Sequence, residues 1–125
     1  MNAASILIVD DDPALAAVIE ASLQQAGYTV SCADGAETAL DLLAKNKISA
    51  VITDLRMPVT EGLGLLARMR AAGIHIPSIL LTGAGEFTHA DARASGVSAF
   101  LVKPLAGGEL VRVLAAVLAQ NNPAK

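Results

Sequence analysis

Short apolar runs alternate with segments of helical periodicity five times along the chain. The runs at 5–9, 29–32, 50–53, 78–81 and 99–102 are rich in aliphatic residues and are bounded by polar or turn residues. Such runs are typical of short strands that are buried on both faces. The sequence therefore predicts five short, buried strands.

The segments between these runs repeat apolar residues at the spacing of an amphipathic helix. Asp12 and Pro13 have the positions of an N-cap and a first helical residue, so the first helix is expected to begin there. A short fourth helix is predicted within 88–95, closed by Gly96. The apolar faces predicted for the first, second, third and fifth helices are Leu15, Val18, Ile19, Leu23 and Ala26; Ala36, Ala39, Leu40 and Leu43; Leu63, Leu66, Ala67 and Met69; and Leu110, Val113, Leu114, Val117 and Leu118.

Strict alternation of strand and helix predicts an α/β fold. Parallel strands joined by right-handed helical crossovers form a sheet with helices on both faces. The (βα)5 pattern favours a doubly wound five-stranded parallel sheet. In such folds the functional site lies beyond the carboxyl ends of the strands.

The polar residues that could carry chemistry lie at those carboxyl ends. Asp10, Asp11 and Asp12 follow the first run, Asp54 the third, Thr82 the fourth and Lys103 the fifth. Crowded carboxylates favour a hard divalent cation such as Mg²⁺, and a cation there can stabilise a transferring phosphoryl group. Lys103 and Thr82 can contact phosphoryl oxygens, and Asp54 can act as the nucleophile. Taken singly, Asp12 could cap a helix, Lys103 could be a solvated lysine and Thr82 a strand-end hydroxyl.

Four motifs carry a resemblance to the receiver domain of two-component response regulators, and in particular to chemotaxis-type receivers. They are Ile-Leu-Ile-Val-Asp-Asp-Asp at 6–12, Thr-Asp-Leu-Arg-Met-Pro at 53–58, Leu-Leu-Thr-Gly at 80–83 and Phe-Leu-Val-Lys-Pro at 100–104. The resemblance covers roughly residues 5 to 119. It implies a flavodoxin-like sheet of strand order 2-1-3-4-5 and a signalling domain rather than an enzyme.

The resemblance also assigns roles to single residues. Asp54 would accept the phosphoryl group from a sensor histidine kinase or a histidine phosphotransfer protein, and Thr82 and Lys103 would contact that group. Asp11, Asp54 and the backbone carbonyl of Arg56 would hold Mg²⁺ or Mn²⁺, with Asp10 acting through water. Phe100 would form a switch with Thr82, and the Lys103–Pro104 bond would be cis. The face made by the fourth helix, fifth strand and fifth helix would bind a downstream protein or a second copy of the chain.

Composition narrows the class of partner. Nine basic residues stand against twelve acidic ones, a net charge of −3, which argues against direct nucleic-acid binding. Cys32 is the only cysteine, so an internal disulfide is excluded. No apolar run approaches the ~18 residues that span a bilayer, and no signal peptide is expected. The expectation is one cytoplasmic domain over residues 1–125, with a core at about 5–119, a tail at 121–125 and no membrane contact.

Two alternatives remain open at this point. A haloacid-dehalogenase-like phosphatase would use Asp10 as nucleophile within Asp10-Asp11-Asp12, and a degenerate receiver would serve only as a binding scaffold. A Gly-x-Gly-x-x-Ala pattern at 62–67 is discounted as a dinucleotide site, because residues 54–61 separate it from the preceding strand. Glu61 and Phe100 depart from the usual aspartate and tyrosine of the family, and the stretch between Thr82 and Lys103 is slightly short.

Overall fold

The structure, a computed structural model, describes residues 4–55, 62–83, 85–105 and 108–120. Strands and helices alternate through these residues. They are β1 (Ser5–Val9), α1 (Pro13–Gln25), β2 (Thr29–Ala33), α2 (Ala36–Lys45), β3 (Ala50–Asp54), α3 (Gly62–Ala71), β4 (Ser78–Thr82), α4 (His89–Ser95), β5 (Ala99–Val102) and α5 (Glu109–Gln120). No helix within the described ranges is both long and apolar enough to cross a membrane. The predicted tail at 121–125 lies outside the described residues.

The five strands form one parallel sheet in the order β2-β1-β3-β4-β5. The predicted α/β class, doubly wound sheet and strand order are therefore confirmed. Three strands extend one residue further than predicted, so that Ala33, Asp54 and Thr82 are the last residues of β2, β3 and β4. Sheet pairing continues through the polar residues, with Asp54 opposite Leu81 and Thr82 opposite Val102. The end of an apolar run marks a change of polarity, whereas the strand ends where pairing ends.

The core is divided by the sheet into two clusters. Alternate residues of a strand point to opposite faces, so Leu7 and Val9 pack with α2 and α3, whereas Ile6 and Ile8 pack with α1 and α5. Both faces of the central strands are thereby covered. This burial fixes the strand register, because a slip of one residue would exchange the two clusters.

The helix ends follow from local capping. The carboxylate of Asp12 accepts hydrogen bonds from the backbone N–H groups of Ala14 and Leu15, with Pro13 at the first helical position. In α4, Thr88 and Asp91 form a reciprocal capping box, and Gly96 ends the helix in the left-handed conformation. The short fourth helix is confirmed, with seven residues.

Two predicted helix faces are wrong in part. Val18 is 66% exposed, and Ala26 is also exposed, because α1 turns the stripe Ala16, Ile19 and Leu23 toward the sheet. In α3, Ala67 is exposed and Leu65 is buried instead. Apolar periodicity gives the direction of a helix face only approximately, because neighbouring apolar stripes fit the same spacing.

Candidate functional site

Strand register brings two of the predicted aspartates together. Val9 of β1 is paired with Thr53 of β3, so Asp10 and Asp54 occupy the next positions on neighbouring strands. Asp10, Asp11 and Asp54 each place a carboxylate oxygen within 4.8 Å of the others. The carboxyl edge of the sheet therefore carries a compact acidic cluster.

Asp10 is the most constrained member of this cluster. Its side chain is buried, and Oδ1 accepts a hydrogen bond of 2.9 Å from the Asp12 N–H. Burial raises the pKa of the Asp10 carboxyl, and the negative charges of Asp54 and Asp11 raise it further, against the opposing effects of the Asp12 N–H and Lys103. Within the described part of the chain, Oδ2 of Asp10 is buried without a hydrogen-bond partner. An ionised carboxylate in this position is costly unless a cation balances it.

Asp54 is paired with the one basic residue predicted for the site. Lys103 Nζ lies 3.1 Å from Asp54 Oδ1, and the Asp54 residue is only 7% exposed. The lysine backbone N–H donates to the Thr82 carbonyl oxygen over 2.8 Å, and the Lys103–Pro104 peptide bond is cis. The end of β5 thus presents a cation directly to a buried carboxylate.

Thr82 contributes a hydroxyl at the end of the neighbouring strand. It is fully buried, and in the described ranges its Oγ1 has no hydrogen-bond partner. A buried hydroxyl without a partner is uncommon in folded proteins. Thr82 therefore retains a donor for a group that binds beside it.

Gly62 has a role that sequence reasoning missed. A Cβ atom at this position would overlap the carbonyl oxygen of Asp54, and the Gly62 N–H donates to the Leu55 carbonyl over 2.9 Å. Glycine therefore lets the first turn of α3 lie against the backbone of Asp54. The signal in the sequence is a glycine that follows a buried strand by a few residues.

The aromatic residues also form a contact that the sequence did not predict. Phe100 is partly buried and lies edge-to-face with Phe87, with ring centroids 5.1 Å apart. The imidazole of His89 lies 5.2 Å from the same ring. Phe87 is itself buried, so the segment leading into α4 is anchored on Phe100.

Three further residues singled out in the sequence are Asp12, Arg56 and Glu61. Asp12 caps α1, which is the structural role considered for it. The predicted carbonyl ligand at Arg56 and the departure at Glu61 both lie outside the described residues.

The donor set fits a hard divalent cation. Three carboxylates converge, and one of them has a buried oxygen that lacks a partner in the described chain. Among the described residues, Lys103 offsets their charge at close range. Oxygen ligands of this kind suit Mg²⁺. The site thus combines a candidate cation pocket, a nucleophilic carboxylate, a lysine and a hydroxyl.

A model of the response regulator receiver domain matches residues 6–115. The chain belongs to the response regulator receiver family. Among curated relatives, the response regulator MprA of Mycobacterium sp. (strain KMS) is 35% identical over 94% of this chain and 52% of its own length. The transcriptional regulatory protein GlrR of Escherichia coli (strain K12) is 35% identical over 97% of this chain and 28% of its own. The chain thus spans about half or less of the length of these two relatives.

Solved receiver structures share the same architecture. The crystal structure of FixJ-N superposes with a TM-score of 0.87 at 27% identity, and the match covers 100% of both chains. A putative response regulator from Chloroflexus aurantiacus J-10-fl superposes with a TM-score of 0.86 at 33% identity, covering 94% of this chain and 99% of its own. The predicted membership of a signalling receiver family is confirmed. The comparisons give no support to the phosphatase alternative.

The crowding of negative charge in the acidic cluster predicts that Asp10→Asn stabilises the folded chain. The raised pKa of Asp10 means that its ionised form destabilises the folded state. This cost is absent below the ordinary aspartate pKa, grows as pH rises through the raised value and is complete above it. Without divalent cations at pH 7, Asp10→Asn is therefore expected to raise the free energy of unfolding.

Urea unfolding followed by circular dichroism between pH 7 and pH 4 measures this gain, which should shrink as pH falls. Asp34→Asn, at an exposed carboxylate, is the control and should change stability little. A loss of stability in Asp10→Asn at pH 7 would contradict the charge argument.

Proposed function

We propose that Asp54 accepts a phosphoryl group from a phosphohistidine of a sensor kinase or a phosphotransfer protein. The observation that carries this proposal is the buried Asp54 carboxylate, held 3.1 Å from Lys103 Nζ and close to the carboxylates of Asp10 and Asp11. A nucleophile, a balancing cation and a candidate metal pocket thus meet at one point.

The transfer follows from these groups. A carboxylate oxygen of Asp54 bonds to phosphorus while the phosphorus–nitrogen bond of the donor breaks, which yields an acyl phosphate and a free imidazole. Lys103 exchanges part of its contact with Asp54 for a phosphoryl oxygen, and the hydroxyl of Thr82 donates to another. Phosphoryl transfer depends mainly on such positioning and charge balance.

Mg²⁺, or Mn²⁺ in its place, is the proposed cofactor. Asp11, Asp54 and, by resemblance, the carbonyl of Arg56 would hold the ion directly, and Asp10 would hold it through water. When bound, the ion would offset the negative charge that develops on the phosphoryl oxygens. The unpartnered Oδ2 of Asp10 and the convergence of the three carboxylates support this assignment.

Asp11→Asn is expected to weaken Mg²⁺ binding by at least about tenfold, because it removes both a hard oxygen ligand and a charge. The chain has no tryptophan, so calorimetry or NMR titration must report the binding. Asp12→Asn is the matched control, since it removes a neighbouring charge but keeps a residue that caps helices well. Equal Mg²⁺ affinities for Asp11→Asn and the unmodified chain would refute the role of Asp11.

We also propose that phosphorylation is read by Thr82 and Phe100. Movement of Thr82 toward the phosphoryl group would vacate space that the ring of Phe100 can fill, and Phe100 has no hydroxyl to hold it outward. Phe100 packs on Phe87 at the start of the α4 segment, so its movement would alter the face formed by α4, β5 and α5. A downstream protein, or a second copy of the chain, would bind that face.

The resemblance supports a cytoplasmic setting, a unit that extends over about 5–119, and action through protein partners without direct contact to nucleic acid or membrane. Some relatives are transcriptional regulatory proteins. For this chain, the proposed output passes through protein contacts.

The test of the proposed function is incubation with acetyl phosphate and Mg²⁺, followed by intact-mass measurement and mapping of the modified residue. One added phosphoryl group at Asp54 is expected, and it should not form when Mg²⁺ is chelated. Labelling at Asp10 would favour the phosphatase alternative, and absence of labelling would favour the scaffold alternative.

A further inference from the structure

A carboxylate closes the loop that follows Thr82. The Gly83 N–H donates to Oε1 of Glu86 over 2.9 Å, and the Glu86 N–H donates back to the Gly83 carbonyl over 3.2 Å. The first backbone donor beyond β4 is thus bound to an anion supplied by the chain itself. A Cβ atom at Gly83 would lie 3.0 Å from the same Oε1, so glycine gives the carboxylate room.

The Gly83 N–H lies at the same edge of the sheet as the proposed phosphoacceptor, Asp54. Leu81 is paired with Asp54 across the β3–β4 ladder, so Thr82 and Gly83 continue past the carboxyl edge at which Asp54 lies. A phosphoryl group brings close to two negative charges and three strong acceptor oxygens. Any shift of the Thr82 backbone toward such a group would carry the adjoining Gly83 with it. In the present structure that backbone is held by Glu86.

The loop is also anchored on its far side. Phe87 follows Glu86 directly, is buried and packs edge-to-face against Phe100. A shift of Gly83 that breaks its bond to Glu86 therefore loosens the residue adjoining the Phe87–Phe100 pair. The carboxylate lies between the phosphoacceptor edge and the aromatic contact.

We propose that Glu86 is a positioning residue that restrains the Thr82–Gly83 backbone in its unphosphorylated arrangement, so that its release from the Gly83 N–H opposes phosphoryl binding. This inference rests on the proposed function of Asp54. Two effects act together. The Gly83 N–H must leave the Glu86 carboxylate when the Thr82–Gly83 backbone shifts toward a phosphoryl group, and the Glu86 carboxylate repels the negative charge of that group. Glu86 thereby sets the balance between the two arrangements without contacting the phosphoryl group.

Beryllofluoride, a stable phosphoryl mimic, provides the test. In the presence of Mg²⁺, NMR titration of the full chain measures its affinity, and the Gly83 amide proton reports the local hydrogen bond. Glu86→Ala is expected to bind beryllofluoride about three- to tenfold more tightly, the range for loss of one exposed charge-assisted contact. Glu86→Gln keeps an acceptor of the same shape, so its affinity should lie between those of Glu86→Ala and the unmodified chain.

Asp41→Asn is the control, since it removes one negative charge from an exposed position on α2, and its affinity should stay within about twofold. A Glu86→Ala affinity that is unchanged or weaker, with the Gly83 amide signal shifted in the free form, would overturn the proposal and leave Glu86 a purely structural loop contact. If beryllofluoride fails to bind the unmodified chain, or binds Asp54→Asn equally well, the proposed role of Asp54 is at fault instead.

Discussion

Asp54→Asn is expected to lose labelling by acetyl phosphate, with a rate at least about a hundredfold below that of the unmodified chain. An amide oxygen is a far weaker nucleophile than a carboxylate, and its product with phosphorus is not a stable acyl phosphate. The substitution also removes one carboxylate from the acidic cluster. Intact-mass measurement over time, with Mg²⁺ in excess, gives the rate.

Asp12→Asn is the appropriate control for this loss. Asp12 is exposed and adjoins the cluster, yet its side chain is engaged in capping α1, and asparagine caps equally well. Labelling of Asp12→Asn should therefore stay within a few-fold of the unmodified chain. Full labelling of Asp54→Asn at Asp10 would contradict the assignment and revive the phosphatase mechanism.

The sequence predicted the placement of the site because the rule behind it is topological. Parallel strands share one carboxyl edge, so residues at the ends of apolar runs must meet there. Asp10, Asp11 and Asp54 do converge, and Lys103 contacts Asp54. That prediction needed only the alternation of strands and helices and the positions at which the apolar runs end, both of which are strong signals in this chain.

The parts that could not be predicted depend on tertiary contacts. The rotation of α1 that exposes Val18 accompanies the burial of Ala16 and Ile19 against the sheet, and helical spacing alone does not decide between these stripes. The approach of Gly62 to the backbone of Asp54 requires knowledge of where α3 begins relative to β3. Periodicity does not contain that information.

The polar contacts of the loop after Thr82 could not be predicted from the sequence either. In the structure the Gly83 N–H donates to the Glu86 carboxylate, and Phe87 packs on Phe100. Both contacts depend on local geometry and on a strand that follows later in the chain. Sequence spacing could therefore indicate a loop but not the groups that restrain it.

Lys103→Met is expected to change Mg²⁺ binding and phosphorylation in opposite directions. Lys103 Nζ lies 3.1 Å from Asp54 Oδ1 and is the close cation of the described site. Its removal leaves the three carboxylates less neutralised, so Mg²⁺ should bind about three- to tenfold more tightly. Labelling by acetyl phosphate should nevertheless slow by about a hundredfold, since the charged donor proposed for the phosphoryl oxygens is lost.

Methionine keeps an unbranched apolar side chain like the stem of lysine. Lys103→Met therefore removes the charge at this position while largely preserving the packing. Lys103→Arg tests geometry, because its planar guanidinium keeps the charge but cannot place it as a compact ammonium. Its Mg²⁺ affinity should stay near that of the unmodified chain, while labelling falls to an intermediate rate. Calorimetry gives the Mg²⁺ affinities, and mass spectrometry gives the labelling rates. Weaker Mg²⁺ binding together with slower labelling in Lys103→Met would point to a distorted site, and the assigned role of Lys103 as a phosphoryl contact would then fail.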